Sequence, residues 1–205
     1  MTPEEGVDHE RNQPAFDAVA IAASAGGVSA LGRLASGLSA DFGAAVLVVQ
    51  HIDPRRPSLM AQILARQTTL VVSQAADGDQ LQPGRMYVAL PDRHLLATTD
   101  HTCALSRSAL VHFVRPSADL LFESMAEAYR ERSIAVVLTG TGRDGSMGLR
   151  AVKEAGGKVI VQDEATSEFF GMPSAAIETG DVDLVLALDA IAPTLVELVM
   201  PGGNA

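Results

Sequence analysis

Ala18-Val19-Ala20-Ile21-Ala22-Ala23-Ser24-Ala25-Gly26-Gly27 is the stretch that decides how the rest of the chain is read. An unbroken apolar run stops at a hydroxyl and two glycines, and a helical pattern follows from Val28 to Leu38. The spacing predicts strand, tight turn and helix, with Ser24 at the turn. Gly26 and Gly27 let backbone pass close to whatever sits beside that turn. The helix would aim its free N–H groups and positive dipole end at the same place. Two readings of Ser24 stand side by side. It caps the helix, the usual work of a serine there, or it is a nucleophile facing oxyanion donors.

Outward from this stretch the chain alternates. Strand-like runs fall at 17–23, 44–50, 70–74, 134–139, 158–162 and 184–187, and helical patterns at 28–38, 58–66, 119–131, 146–155 and 189–199. That alternation predicts an α/β protein, a doubly wound and mostly parallel sheet with helices on both faces. Val46-Leu47-Val48-Val49 and Ile134-Ala135-Val136-Val137-Leu138 are apolar throughout, as strands buried on both faces should be. Between Met86 and Ser106 three short runs, 86–89, 94–97 and 102–105, are split by Pro91-Asp92 and Thr99-Asp100. They predict an antiparallel hairpin or small meander inserted into the frame. Residues 1–16 read as a disordered lead, 17–200 as one domain and 201–205 as a tail.

Composition limits the function classes. The 205 residues carry a formal charge of −10, with 47% hydrophobic and 20% charged residues. A general affinity for nucleic acid or for an anionic membrane does not fit that balance. Cys103 is the only cysteine, so no internal disulfide forms and a reducing compartment is expected. The polar, acidic start has no secretory h-region. No apolar run approaches the roughly 20 residues of a membrane helix. A cytoplasmic protein is expected.

In an open α/β sheet ligands bind beyond the carboxyl ends of the strands. Three such ends carry chemistry here: Ser24, then Gln50-His51-Ile52-Asp53-Pro54, then Thr139-Gly140-Thr141-Gly142-Arg143-Asp144-Gly145. A serine hydroxyl needs a base, imidazole titrates in the useful range, and the imidazole needs an acceptor on its far nitrogen. Ser24, His51 and Asp144 therefore form the candidate set. His94, His101 and His112 compete for the base role, but none of them ends a core strand.

A second reading uses other residues. Gly140, Gly142 and Gly145 spell G-x-G-x-x-G after a strand, and Asp163-Glu164 follow about 20 residues later, as in a dinucleotide-binding oxidoreductase. Against it, the motif comes late in the chain and leaves Ser24 and His51 without a role. No His/Cys/Asp cluster has zinc-site spacing, and no phosphate loop occurs. Neither metal nor cofactor is expected for the serine-centred reading.

Seven motifs carry a resemblance. They are Ala22-Ala23-Ser24-Ala25-Gly26-Gly27, Gln50-His51, Pro83-Gly84 with Tyr87-Val88-Ala89, Arg115-Pro116-Ser117-Ala118-Asp119, Leu138 to Gly145, Gln162-Asp163-Glu164 and Phe170-Gly171-Met172-Pro173. In that order they resemble the catalytic domain of the chemotaxis methylesterase family CheB, over roughly residues 17–200. The resemblance implies hydrolysis of glutamyl methyl esters on the cytoplasmic helices of methylated chemoreceptors, and also deamidation of receptor glutamines. It implies Ser24 as nucleophile, His51 as base then acid, and Asp144 as orienting partner. Oxyanion donors would come from Ala25, Gly26, Gly140, Thr141 and Gly142. Ala25, Thr141 and Arg143 stand where the family usually has threonine, methionine and asparagine. These changes bear on pocket shape and local charge rather than on reaction type. About 16 residues precede the first strand, so no receiver domain is expected, and a separate receiver or regulatory protein is a candidate partner. A basic rim of Arg55, Arg56, Arg143 and Arg115 is expected to meet the acidic receptor. A binding module with a decayed site remains the third reading.

Overall fold

The computed structural model describes residues 16–52 and 57–200. The N-terminal lead up to residue 15 and the tail 201–205 lie outside the described residues, and so do Arg55 and Arg56. Phe16, counted with the lead by sequence, packs on the core.

Seven strands form one parallel sheet: β1 (Ala18–Ala23), β2 (Ala45–Gln50), β3 (Val71–Gln74), β4 (Arg85–Val88), β7 (Ser133–Val137), β8 (Lys158–Gln162) and β9 (Leu184–Leu186). Their order is β3-β4-β2-β1-β7-β8-β9. The chain builds leftward from β1 through β2, then rightward through β7, so the winding reverses between β1 and β7. Crevices for ligands open at such a reversal.

Burial explains the run of apolar residues at the centre. Every residue of β1, β2 and β7 is buried. Alternate side chains feed two cores. Ala18, Ala20 and Ala22 join Leu47, Val49, Val137 and Val161 on one face. That face is covered by α3 (Ala118–Tyr129), α4 (Gly148–Glu154) and α5 (Gly171–Ile177) through Leu121, Phe122, Met125, Leu149 and Met172. Val19, Ile21 and Ala23 face the other core. There α1 (Gly27–Ser36), α2 (Met60–Leu64) and α6 (Leu188–Val199) bury Leu31, Leu34, Leu64, Ile191 and Leu195. In α1 the buried Ala30, Leu31, Leu34 and Ala35 sit at the three- and four-residue spacing of one helix face.

Of the expected antiparallel hairpin or small meander, the hairpin forms, and the first of the three runs belongs elsewhere. That run, Arg85–Val88, is a parallel strand between β3 and β2. Among the described strands, β5 (His94–Ala97) and β6 (Cys103–Ser106) are the pair that runs antiparallel, as a separate two-stranded sheet. Met86, Tyr87 and Val88 are all buried, so this run had the signature of a central strand despite its short neighbours. The hairpin packs on α3, with Leu95, Ala97 and Cys103 in the first core. Helix α5 went unrecognised because its seven residues, opening on Gly171 and containing Pro173, are too few to show a helical period.

Candidate active site

Strand pairing brings Ser24 and His51 together. Ala23 pairs with Gln50, and the His51 N–H donates to the Ala23 carbonyl at 3.1 Å. Ser24 and His51 are therefore the first residues past a matched pair, on strands roughly 5 Å apart. Continuing the pleat turns both side chains to the α3–α5 face and turns Gln50 to the α1 face. On the other side of β1, the Ser24 N–H donates to the Thr139 carbonyl at 3.0 Å, which joins the third strand end to the same spot.

The serine does not cap α1. Gly26 takes the cap position at φ 75° and no side-chain oxygen bonds the helix start. That left-handed conformation is why a glycine stands there. The Ser24 hydroxyl has no hydrogen bond among the described residues, and its side chain is half-buried. It is free to rotate towards a partner or a substrate. Gly140 lies directly against it: a Cβ on Gly140 would come within 2.8 Å of Ser24 Cβ.

Asp144 is held where an acceptor for the ring is needed. His51 Nε2 lies 2.8 Å from Asp144 Oδ2, with the two side chains 13% and 4% exposed. This engages Nε2 and leaves Nδ1 as the ring nitrogen open to a hydroxyl. Asp144 also accepts from Ser117 Oγ at 2.7 Å and from the Ala118 N–H at 2.6 Å. It thus serves as a cap for α3 supplied by a distant loop, and the 12-residue helix turns its positive dipole end towards the carboxylate. Burial alone would raise the Asp144 pKa. Hydrogen bonds from His51, Ala118 and Ser117 outweigh it and hold the carboxyl below its ordinary range. The acid stays ionised beside the ring.

The arrangement is reciprocal. Asp119 Oδ1, in the first turn of α3, accepts from the Met147 and Gly148 N–H groups at the start of α4, at 3.0 and 2.8 Å. Each of these helices is capped by an acid from the other's side of the junction, and the loop carrying Asp144 is pinned at both ends. Burial pushes Asp119 up to about 6, with the Asp144 charge adding to the rise. His112 Nε2 at 3.2 Å opposes it. Because the folded value exceeds the unfolded one, the native state binds the extra proton between about pH 4 and pH 6. Stability from this group is present below the unfolded value and is lost as pH rises through about 6. Asp119→Asn, which keeps the acceptor oxygen, is expected to gain stability relative to wild type on going from pH 4.5 to pH 7.5, by roughly 2 kcal/mol. Urea unfolding of both proteins at the two pH values measures this. An equal difference at both would refute it.

His94, a rival for the base role by sequence, is fully buried. Its Nδ1 accepts the Ser117 N–H at 3.1 Å and its Nε2 faces the Ala109 carbonyl, so it buttresses the start of α3. His101 stacks on Tyr129. Ser117, His94 and Asp119 are the supports that strand-end reasoning did not single out. A serine and an aspartate at the mouth of a strongly apolar helix were the available signal.

The oxyanion expectation divides. The Gly140 N–H is spent on the Phe169 carbonyl at 2.8 Å, so it is not an oxyanion donor. The amides of Ala25, Gly26, Thr141 and Gly142 have no acceptor among the described residues. The G-x-G-x-x-G reading fails on the same loop. Helix α4 begins only at Gly148, its first amides are taken by Asp119, and Asp144 is committed to His51. No helix start is left there for a pyrophosphate.

Of the expected rim, Arg115 is also committed. Its guanidinium donates to Asp92 at 2.6 and 3.0 Å and to the Arg107 and Ser108 carbonyls, so it braces the loop instead of offering a free cation. Arg143 is exposed, 3.9 Å from Glu178. A cavity of about 360 Å³ opens beside His51, walled by Leu110, Phe113, Val114 and Pro116, with Phe113 95% exposed at its mouth. Among the described residues no cluster of His, Cys, Asp or Glu is placed to hold a metal ion, and no helix is long and apolar enough to cross a membrane.

The parallel sheet, the reversal between β1 and β7, and polar groups gathered at that crevice define an α/β enzyme of the doubly wound class. Residues 19–195 match the family model described as CheB methylesterase, and the chain belongs to that family. The crystal structure of the Thermotoga maritima CheB methylesterase catalytic domain is similar to it with a TM-score of 0.86 and 38% identity, covering 90% of this chain and 99% of that one. A Leptospira interrogans relative is 39% identical over 183 residues, 89% of this chain and 95% of that protein. A Burkholderia lata relative named protein-glutamate methylesterase/protein-glutamine glutaminase 1 is 44% identical over 180 residues, 88% of this chain but 54% of that protein.

Proposed function

We propose that this protein is a serine hydrolase that removes methyl esters from glutamyl side chains of chemoreceptors, giving glutamate and methanol. Ser24 Oγ attacks the ester carbonyl carbon while His51 Nδ1 takes its proton. The C–O bond to the methoxy group then breaks, and the imidazolium returns the proton to the departing methanol. Water attacks the acyl-serine with the same ring as base and frees the glutamate and Ser24. A glutamine side chain entering the same cycle would leave as ammonia and glutamate. Asp144 holds the ring and stabilises its positive form. The free amides of Ala25, Gly26, Thr141 and Gly142 are the pool from which oxyanion donors come, each typically contributing about 3 kcal/mol.

One observation supports this reading above the others: Ser24 and His51 leave paired strands side by side, and the His51 ring is within 2.8 Å of a buried aspartate. Release of methanol from a methyl-esterified receptor cytoplasmic fragment, with the loss of methyl mass from its glutamates, tests it. Fragment binding without methanol release would replace the enzyme by a binding module.

The receptor's methylation helices face the cytoplasm and are acidic, while this chain carries −10. Docking therefore requires local positive charge. Arg143, unlike Arg115, is exposed, and its ion pair with Glu178, at 3.9 Å, is long and solvent-facing. Arg143→Glu is expected to raise KM for an acidic fragment about 3- to 10-fold at low salt and to differ little from wild type at high salt. A salt-independent effect, or none, would remove Arg143 from the rim.

A further inference from the structure

We propose that Gln50 is a positioning residue for the reaction, a clamp that sets the distance between Ser24 and His51 from behind the sheet. The assignment rests on the proposed function of these two residues.

Gln50 is the last residue of β2 and is 6% exposed. Its Nε2 donates to the Ser24 carbonyl at 2.8 Å and to the His51 carbonyl at 3.0 Å. One side-chain amide therefore ties together the backbone of the proposed nucleophile and that of the proposed base, just where the ladder of β1 and β2 ends. Among the described residues, no backbone pair past Ala23 and Gln50 holds the two strands in register. Without the clamp, the bond from the His51 N–H to the Ala23 carbonyl would be the one direct hydrogen bond between the two exits among the described residues.

The orientation of the amide is dictated by its surroundings. Two carbonyl acceptors converge on one end, so the NH2 group must face them and Oε1 must point away. Oε1 then lies buried without a hydrogen-bond partner. Buried polar atoms are seldom left in that state. The fold accepts an unsatisfied acceptor to keep two donors on these carbonyls.

Gly27 makes room for this. A Cβ there would come within 2.1 Å of Gln50 Oε1 and 2.8 Å of Ala23 Cβ. The second glycine after Ser24 thus admits the clamp from the α1 side, whereas the first supplies the left-handed turn. Substrate does not need to approach Gly27 for the glycine to be required.

Gln50→Met keeps volume and burial but removes both donors. It is expected to lower kcat for methanol release about 10- to 100-fold with KM within about twofold, because an error in placement of the reacting groups falls on the chemical step. The rate of Ser24 labelling by a fluorophosphonate should fall in parallel. Gln50→Glu adds a signature that a packing role would not produce. As a carboxylate it repels both carbonyls, whereas protonated it donates one O–H to them. The ratio of its kcat to that of wild type should therefore rise as pH falls from 8 to 6, while the Gln50→Met ratio stays flat. Wild-type kcat and labelling in a folded Gln50→Met would overturn the proposal, as would a Gln50→Glu ratio that does not change with pH. A wild type that neither releases methanol nor labels at Ser24 would overturn the functional reading itself, and the clamp with it.

Discussion

Replacing Ser24 with alanine is expected to lower methanol release by at least about 1,000-fold and to leave the fold intact. The magnitude follows from the role: without a nucleophile the acyl-enzyme route closes, and only binding and oxyanion donors remain to assist water. The intact fold follows from the contacts. The Ser24 backbone makes the bonds that matter, its N–H to Thr139 and its carbonyl to Gln50 and Gly27, and alanine keeps them all. The hydroxyl itself holds nothing among the described residues. Thermal unfolding and methanol release, measured on the same preparation, separate the two. A well-folded alanine variant with activity within tenfold of wild type would end the serine mechanism.

Asp144→Asn is expected to cost about 10,000-fold in kcat, the size of effect seen when a comparable acid is made an amide and the ring loses its tautomer. It should also cost stability, roughly 1–3 kcal/mol, since an amide cannot accept all three bonds from His51 Nε2, Ser117 Oγ and the Ala118 N–H. The sign with pH is opposite to that of Asp119. The Asp144 carboxyl sits below its ordinary value, so its contribution is present above the unfolded pKa and is lost as pH falls through the lower folded value. The asparagine variant should therefore be most destabilised near neutral pH and approach wild type in acid. Activity within tenfold of wild type would mean that Asp144 serves α3 and not the ring.

Much of this was legible before the structure because it is local. The unbroken apolar runs of Ala18–Ala23 and 45–49, which mark strands buried on both faces, and the three- and four-residue spacing in α1 follow from how a strand or a helix presents its own side chains. Strand ends are equally local, so Ser24, His51 and Asp144 could be singled out as candidates from position. Where local signals conflicted the reading slipped. Arg85–Val88 looked like part of a meander because turn residues follow it closely, yet its partners lie at 46–48 and 71–74. Arg115 looked like a free cation because nothing near it in sequence shows Asp92 across the loop.

The supports of the site belong to the second kind. Asp144 meets His51 across 93 residues and Ser117 across 27, and Gln50 reaches Ser24 across 26. Apolar periodicity specifies that β1, β2 and β7 are buried. It does not say that β1 lies between the other two, and only that order puts the hydroxyl, the ring and the carboxylate at one crevice. The pattern of residues determined the elements and the chemistry each one ends in, since both depend on neighbours along the chain. Which amide clamps two strand ends, which acid caps a foreign helix and which arginine is already paired were decided by packing. Those partners meet only when separate cores close on the two faces of the sheet.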